Sequence, residues 1–220
     1  MNAKTLSPLF PAVVLAVGVA FGVPAHASLI DCNTLDPDIS GKVTPSIGCQ
    51  ILEPLGGNVN DFTGGTDSSA WTVNTNSFFG YSDWLFDGKW EDPDEDGLNP
   101  LFNDGASLVA FDGNAQSGTW TLLNNNLWSL YSDLMFIFKD GANTNLTGYL
   151  MQVGAQNGTY ESPFISPPFE FDREGARDIS HISIYMRGNG VPVPAPGILG
   201  LLGIGLIGLG LFTRRRTTGS

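Results

Sequence analysis

The stretch Glu91-Asp92-Pro93-Asp94-Glu95-Asp96-Gly97 concentrates the side chains best suited to holding a cation. Asp92, Asp94, Asp96 and Gly97 reproduce the opening D-x-D-x-D-G of a calcium loop, in which alternate carboxylates wrap a hard ion and glycine permits the sharp turn. A twelve-residue loop begun at Asp92 ends on Asn103, where a bidentate glutamate belongs, and Asp104 follows it. The candidate metal ligands are therefore Asp92, Asp94, Asp96 and Asp104. The alternative is an acidic, solvated turn. Calcium is the one cofactor these residues suggest, and its part would be to stiffen the loop and offset its self-repulsion.

Other chemistries find less support. With His26 in the leader described below, His181 is the remaining histidine, and no G-x-S-x-G elbow is present to offer a serine nucleophile to it. Zinc hydrolysis needs more imidazole or thiolate ligands than the chain has. A glycosidase needs only two carboxylates, but Glu91 to Asp96 is continuous polar turn sequence and does not alternate with apolar residues along a strand. Sugar binding is the stronger ligand expectation, because Tyr81, Trp84, Trp90 and Trp128 flank the polar loops and an exposed ring can stack on a sugar. Core packing is the competing use of the same rings. The expectation is a non-catalytic protein, with glycan binding as the alternative and glycan hydrolysis third.

Charge excludes another class. All 22 acidic residues fall between Asp31 and Asp178, and residues 28–190 carry only 6 basic ones, a difference of −16. Such a surface repels nucleic acid phosphates and anionic lipid head groups, so no nucleic acid partner is expected.

The elements that position these residues read as strands. From Ala70 onward, short β-branched and aromatic runs alternate with turn signals. Strands are expected at Trp71–Phe79, Tyr81–Phe86, Ser107–Phe111, Gly118–Leu123, Leu134–Lys139, Gly148–Val153, Thr159–Ile165 and Ile179–Met186. Asp-Gly at 87–88, 96–97, 104–105, 112–113 and 140–141, and Asn-Gly at 157–158 and 189–190, tolerate the positive φ of tight hairpins. Turn spacings of roughly 8–12 residues favour a mainly β, antiparallel, jelly-roll-like β-sandwich over residues 67–190. Gly118-Thr119-Trp120 and Gly158-Thr159-Tyr160 echo each other at a spacing of forty, too few copies for a repeat. Residues 28–66, rich in Gly, Pro, Asn and Asp, read as an irregular arm.

Both ends of the chain read as targeting sequence. Lys4, an apolar run from Ala12 to Val23 and Ala25-His26-Ala27 make residues 1–27 a secretory signal helix cleaved between Ala27 and Ser28. In an exported chain Cys32 and Cys49, with no third thiol, are expected to pair. At the other end, Val191-Pro192-Val193-Pro194-Ala195-Pro196-Gly197 precedes fifteen uncharged residues from Ile198 to Phe212, then Thr213 and Arg214-Arg215-Arg216. Pro196 suits a first helical position, and a helix over 196–213 would be about 27 Å long, enough for a thin bilayer. The arginines would stay on the cytoplasmic side, leaving the acidic domain outside.

Residues 191–220 resemble the PEP-CTERM sorting signal: a Val-Pro-x-Pro motif, a Gly/Leu-rich span and a terminal arginine cluster. Ala195 stands where that signal usually has Glu. The residues carrying the resemblance are Val193, Pro194, Ala195, Pro196, Gly197, Arg214, Arg215 and Arg216. The resemblance implies a transmembrane helix handled by the secretion machinery and an exosortase, a membrane protease-transpeptidase of exopolysaccharide-producing Gram-negative bacteria. It implies a final location at the cell surface or in the extracellular matrix, with exopolysaccharide as a neighbour. It lends no catalytic residue.

Overall fold

A computed structural model describes residues 28–61, 67–93, 98–141, 144–171 and 175–188. The signal, the sorting tail, Asp94 and Asp96 lie outside the described residues. Eleven strands are described: β1 (Leu29–Asp31), β2 (Val43–Thr44), β3 (Ser46–Leu52), β4 (Leu85–Glu91), β5 (Phe102–Asp104), β6 (Val109–Gly113), β7 (Ser117–Leu122), β8 (Tyr131–Lys139), β9 (Thr147–Met151), β10 (Asn157–Glu161) and β11 (His181–Gly188). They form two sheets, β1-β3-β9-β8-β11-β4-β5 and β2-β10-β7-β6. Every pairing between neighbouring strands is antiparallel.

The large sheet is apolar on both faces, and β8 explains why. Its alternation sends Leu134, Phe136 and Phe138 to one side and Met135 and Ile137 to the other, all fully buried. The first side packs on the small sheet through edge-to-face rings, with Phe136 5.3 Å from both Phe111 and Trp120. This contact makes the molecule a β-sandwich. Ile182 and Ile184 of β11 join the same core.

The second side is covered by residues 67–84, where the strand expected at Trp71–Phe79 is replaced by short helical turns that include α1 (Thr72–Thr75), and the strand expected at Tyr81–Phe86 starts only at Leu85. Side chains redirect that backbone. Buried Asn74 accepts from the Trp84 amide at 2.8 Å and donates to the Trp84 carbonyl at 2.9 Å, while the Trp84 indole donates to the Phe78 carbonyl at 3.1 Å. Phe78 lies against Gly148, where a Cβ would come within 2.9 Å of its ring. Trp71, Val73, Phe78 and Trp84 thus form a lid over Met135, Ile137 and Tyr185.

Three other expectations change. Asn157-Gly158 is not a turn but opens β10, paired with Thr121 and Trp120. Residues 28–61 are not an irregular arm, because β1 and β3 complete the large sheet and β2 the small one. Asp87-Gly88 is not a hairpin turn but lies inside β4 at a bulge against Ile184 and Tyr185. There the Asp87 carboxylate accepts from the Ser107 and Leu108 amides at 2.8 and 2.9 Å, fixing the passage from one sheet to the other. A single helical turn, α2 (Leu127–Leu130), leads into β8.

Cys32 and Cys49 form the expected disulfide, and it lies in the core: both are buried among Ile39, Ile51 and Tyr149. The bridge closes a 17-residue separation, for which chain entropy gives about 3 kcal/mol. Reduction is expected to lower the melting temperature by about 10 °C, at the 2–4 °C per kcal/mol of a domain this size. Calorimetry with and without reductant measures it, and an unchanged transition would refute that contribution.

Candidate functional site

One end of the large sheet carries a polar cleft of about 740 Å³. Antiparallel register brings its parts together: His181 opens β11 opposite Glu91, which closes β4, and opposite Lys139, which closes β8. Asp61 arrives from the loop after β3, held by the Thr72 amide on its own carbonyl at 3.2 Å.

Asp61 is the best-enclosed acid of the cleft, 1% exposed. Its Oδ1 lies 3.2 Å from His181 Nε2, and its Oδ2 accepts the Tyr185 hydroxyl at 3.0 Å. Burial pushes the Asp61 carboxyl up, but hydrogen bonding and charge from His181, with the Ser183 and Tyr185 hydroxyls, outweigh it and hold it below the usual carboxylate range. Burial, and then Asp61 itself, push the Tyr185 hydroxyl far up, so it stays a donor.

Two cations complete the lining. Lys89 contacts Glu91 and lies 3.6 Å from Asp104. Burial lowers its pKa, and the two carboxylates more than reverse that. The Lys139 ammonium, nearly enclosed, donates to the Asp140 and Thr144 carbonyls at 2.5 and 3.0 Å. Burial dominates there and lowers its pKa. Asp140 in turn pairs with Arg177 at 3.1 Å.

Lys89 and the carboxylates of this cleft are matched at close range and Lys139 is held by carbonyls, which fixes their side chains and presents donors beside acceptors. That suits a neutral, polyhydroxylated ligand better than a free ion. His181, Asp61 and Ser183 have the composition of a triad but not its access, because Ser183 is sealed at 1% exposed.

The sequence-predicted metal ligands are only partly described. Asp92 is buried just past β4, its amide donating to the Ser180 carbonyl at 3.0 Å. Asp104 lies one step beyond the Trp90–Asn103 pair in the opposite direction from Asp92. The two stand three residues apart along the ladder, roughly 10 Å, and Asp104 is turned to Lys89. No group of three or more ligating side chains occurs among the described residues.

The proposed aromatic platforms are engaged elsewhere. Trp84 is fully buried, and the Trp90 and Trp128 indoles donate to the Val109 and Ala155 carbonyls at 3.1 and 2.7 Å. Tyr81 lies beneath the Arg187 guanidinium, 3.7 Å from its centroid. Phe86 is the aromatic ring that lines the cleft. Asp61 escaped the sequence reading because 120 residues separate it from His181 and no local motif marks it. No family model, curated protein or solved structure matches the chain.

Proposed function

We propose that this chain is an exported, non-catalytic β-sandwich protein of the cell surface or extracellular matrix, sorted by an exosortase through residues 191–220. The observation that carries the proposal is the Cys32–Cys49 disulfide buried in the core, since such bridges persist in oxidising compartments. The signal-like residues 1–27 and the Arg-terminated apolar tail agree with it. In this reading the jelly-roll-like sandwich is preceded by a cleaved signal helix and followed by a transmembrane helix over 196–213. Among the described residues no helix is long and apolar enough to cross a membrane. Mass spectrometry of the mature surface protein from its native host tests the sorting step. Loss of Arg214–Ser220 is expected, and an intact tail on that protein would rule out processing and leave a simple anchor.

The cleft favours a second reading, a carbohydrate-binding module acting on exopolysaccharide. Fixed carboxylates, ammoniums, Asn58, Asn60 and Phe86 make the type of lining that hydroxyl-rich ligands use. On a glycan array the full chain is expected to bind, and Glu91→Gln to bind more weakly. Absence of binding with and without calcium would discard this reading.

A further inference from the structure

The chain leaves the sandwich at its apolar end, away from the cleft. Gly188 pairs with Tyr131 at the start of β8, whereas His181 pairs with Lys139 at its finish. At the Gly188 end Met186 pairs with Leu85, and Met151 at the close of β9 pairs with Ser46 at the opening of β3. The β9–β10 connection turns there too, its Gln156 carbonyl accepting the Leu122 amide from the end of β7. Ile47, Leu85, Leu123, Leu130 and Val153 are therefore grouped around the departure point, each between 44% and 61% exposed. A bulge between Ser46 and Gly48 turns Ile47 outward. Among the described residues the other exposed large apolar side chains are Val59, Leu98 and Phe102, and Phe102 pairs with Glu91 at the cleft end.

Charge at the departure end is locally matched. Arg187 bridges Asp83 at 2.8 Å and Asp133 at 2.5 Å. Seven residues, 189–195, separate Gly188 from Pro196. Fully extended they reach about 25 Å, close to the length of β11 itself at roughly 3.3 Å per residue. A tether that short keeps the departure end next to whatever holds the tail.

We propose that this end of the sandwich is a membrane-docking surface, its occupant the interfacial layer of a zwitterionic bilayer, with Leu123, Leu130 and Val153 entering it. The inference rests on the reading of residues 196–213 as a membrane anchor. Anionic lipid is disfavoured because the domain's own charge is strongly negative. Docking gives the molecule a direction: the cleft, at the far end of β4, β8 and β11, is held pointing away from the membrane.

The full chain in phosphatidylcholine vesicles tests this, with an environment-sensitive fluorophore on Leu130→Cys or Val153→Cys and Val59→Cys as the control. Labels at 130 and 153 are expected to shift blue and to be quenched about twofold by brominated acyl chains, consistent with shallow interfacial burial, while 59 does neither. Flotation of the vesicles reports the anchor separately. A chain that fails to float loses the anchor and this proposal together. A chain that floats with water-exposed labels at 130 and 153 keeps the anchor and overturns docking alone. Protection without bromolipid quenching, rising with protein density, assigns the surface to a second copy and overturns the proposal as well.

Discussion

Replacing Gly158 with alanine is expected to remove about 4 kcal/mol of folding stability, the sum of an overpacking cost and a broken buried hydrogen bond. Gly158 pairs with Trp120, Thr159 with Thr119, and Tyr160 with Gly118. Each glycine therefore sits opposite the other strand's aromatic residue, and the ring covers the space a side chain would take. A Cβ at Gly158 would lie 1.8 Å from the Thr44 carbonyl oxygen and 2.6 Å from Trp120 Nε1. Those two atoms are themselves hydrogen-bonded at 2.9 Å. The methyl group must therefore push β2 off β10 or take the indole off its acceptor. Urea unfolding followed by tryptophan fluorescence reads the loss. Gly141→Ala is the control, because a Cβ there meets nothing within 4 Å, and it is expected to change stability by less than about 0.5 kcal/mol. A Gly158→Ala loss below about 1 kcal/mol would show that β2 moves aside freely, against the close packing proposed.

The echo of Gly-Thr-Trp and Gly-Thr-Tyr was visible in the sequence, but its meaning required register. It is a cross-strand pair and not a repeat. The strands easiest to read were those with strong β-branched or aromatic content on both faces: β7, β8 and β11 fall where expected. β3 escaped because Gly48, Cys49 and Gln50 interrupt its apolar pattern between Pro45 and Pro54. Residues 71–79 misled for the opposite reason. Their composition suits a strand, yet Asn74 ties its side chain to the Trp84 backbone and the segment becomes a lid. The cleft was least legible. Glu91 and His181 were each visible, but their meeting depends on β4 and β11 being neighbours, which local pattern does not encode.

The two ends of the sandwich differ in physical character because the strands are long enough to separate them. Acids and cations gather where β4 and β8 finish and β11 begins, while exposed leucine, isoleucine and valine side chains gather where β11 finishes. A tail that departs from the apolar end leaves the polar end free to meet soluble or matrix ligands. This polarity links the surface-protein reading to the glycan reading: the first supplies the orientation that the second requires.

The Asp61 clamp should dominate the acid limit of stability. Asp61→Ala strands the Tyr185 hydroxyl and the His181 ring without their shared acceptor, a loss of about 3 kcal/mol for a broken buried polar network. Asp61→Asn keeps the shape and removes the charge, so it isolates the titration. The folded carboxyl is held below the usual carboxylate range, so its stabilising contribution is complete above the unfolded value and disappears as pH falls through the folded one. The gap between wild type and Asp61→Asn should therefore narrow as pH falls below about 4. Urea midpoints at pH 7, 5, 4 and 3 measure it, and taking the difference between variants cancels the titration of the other carboxylates. A gap that stays the same down to pH 3 would mean that Asp61 acts through shape alone. A gap that closes at low pH identifies its charge, held by His181 and Tyr185, as what ties the 53–61 loop to β11 and keeps the cleft in form.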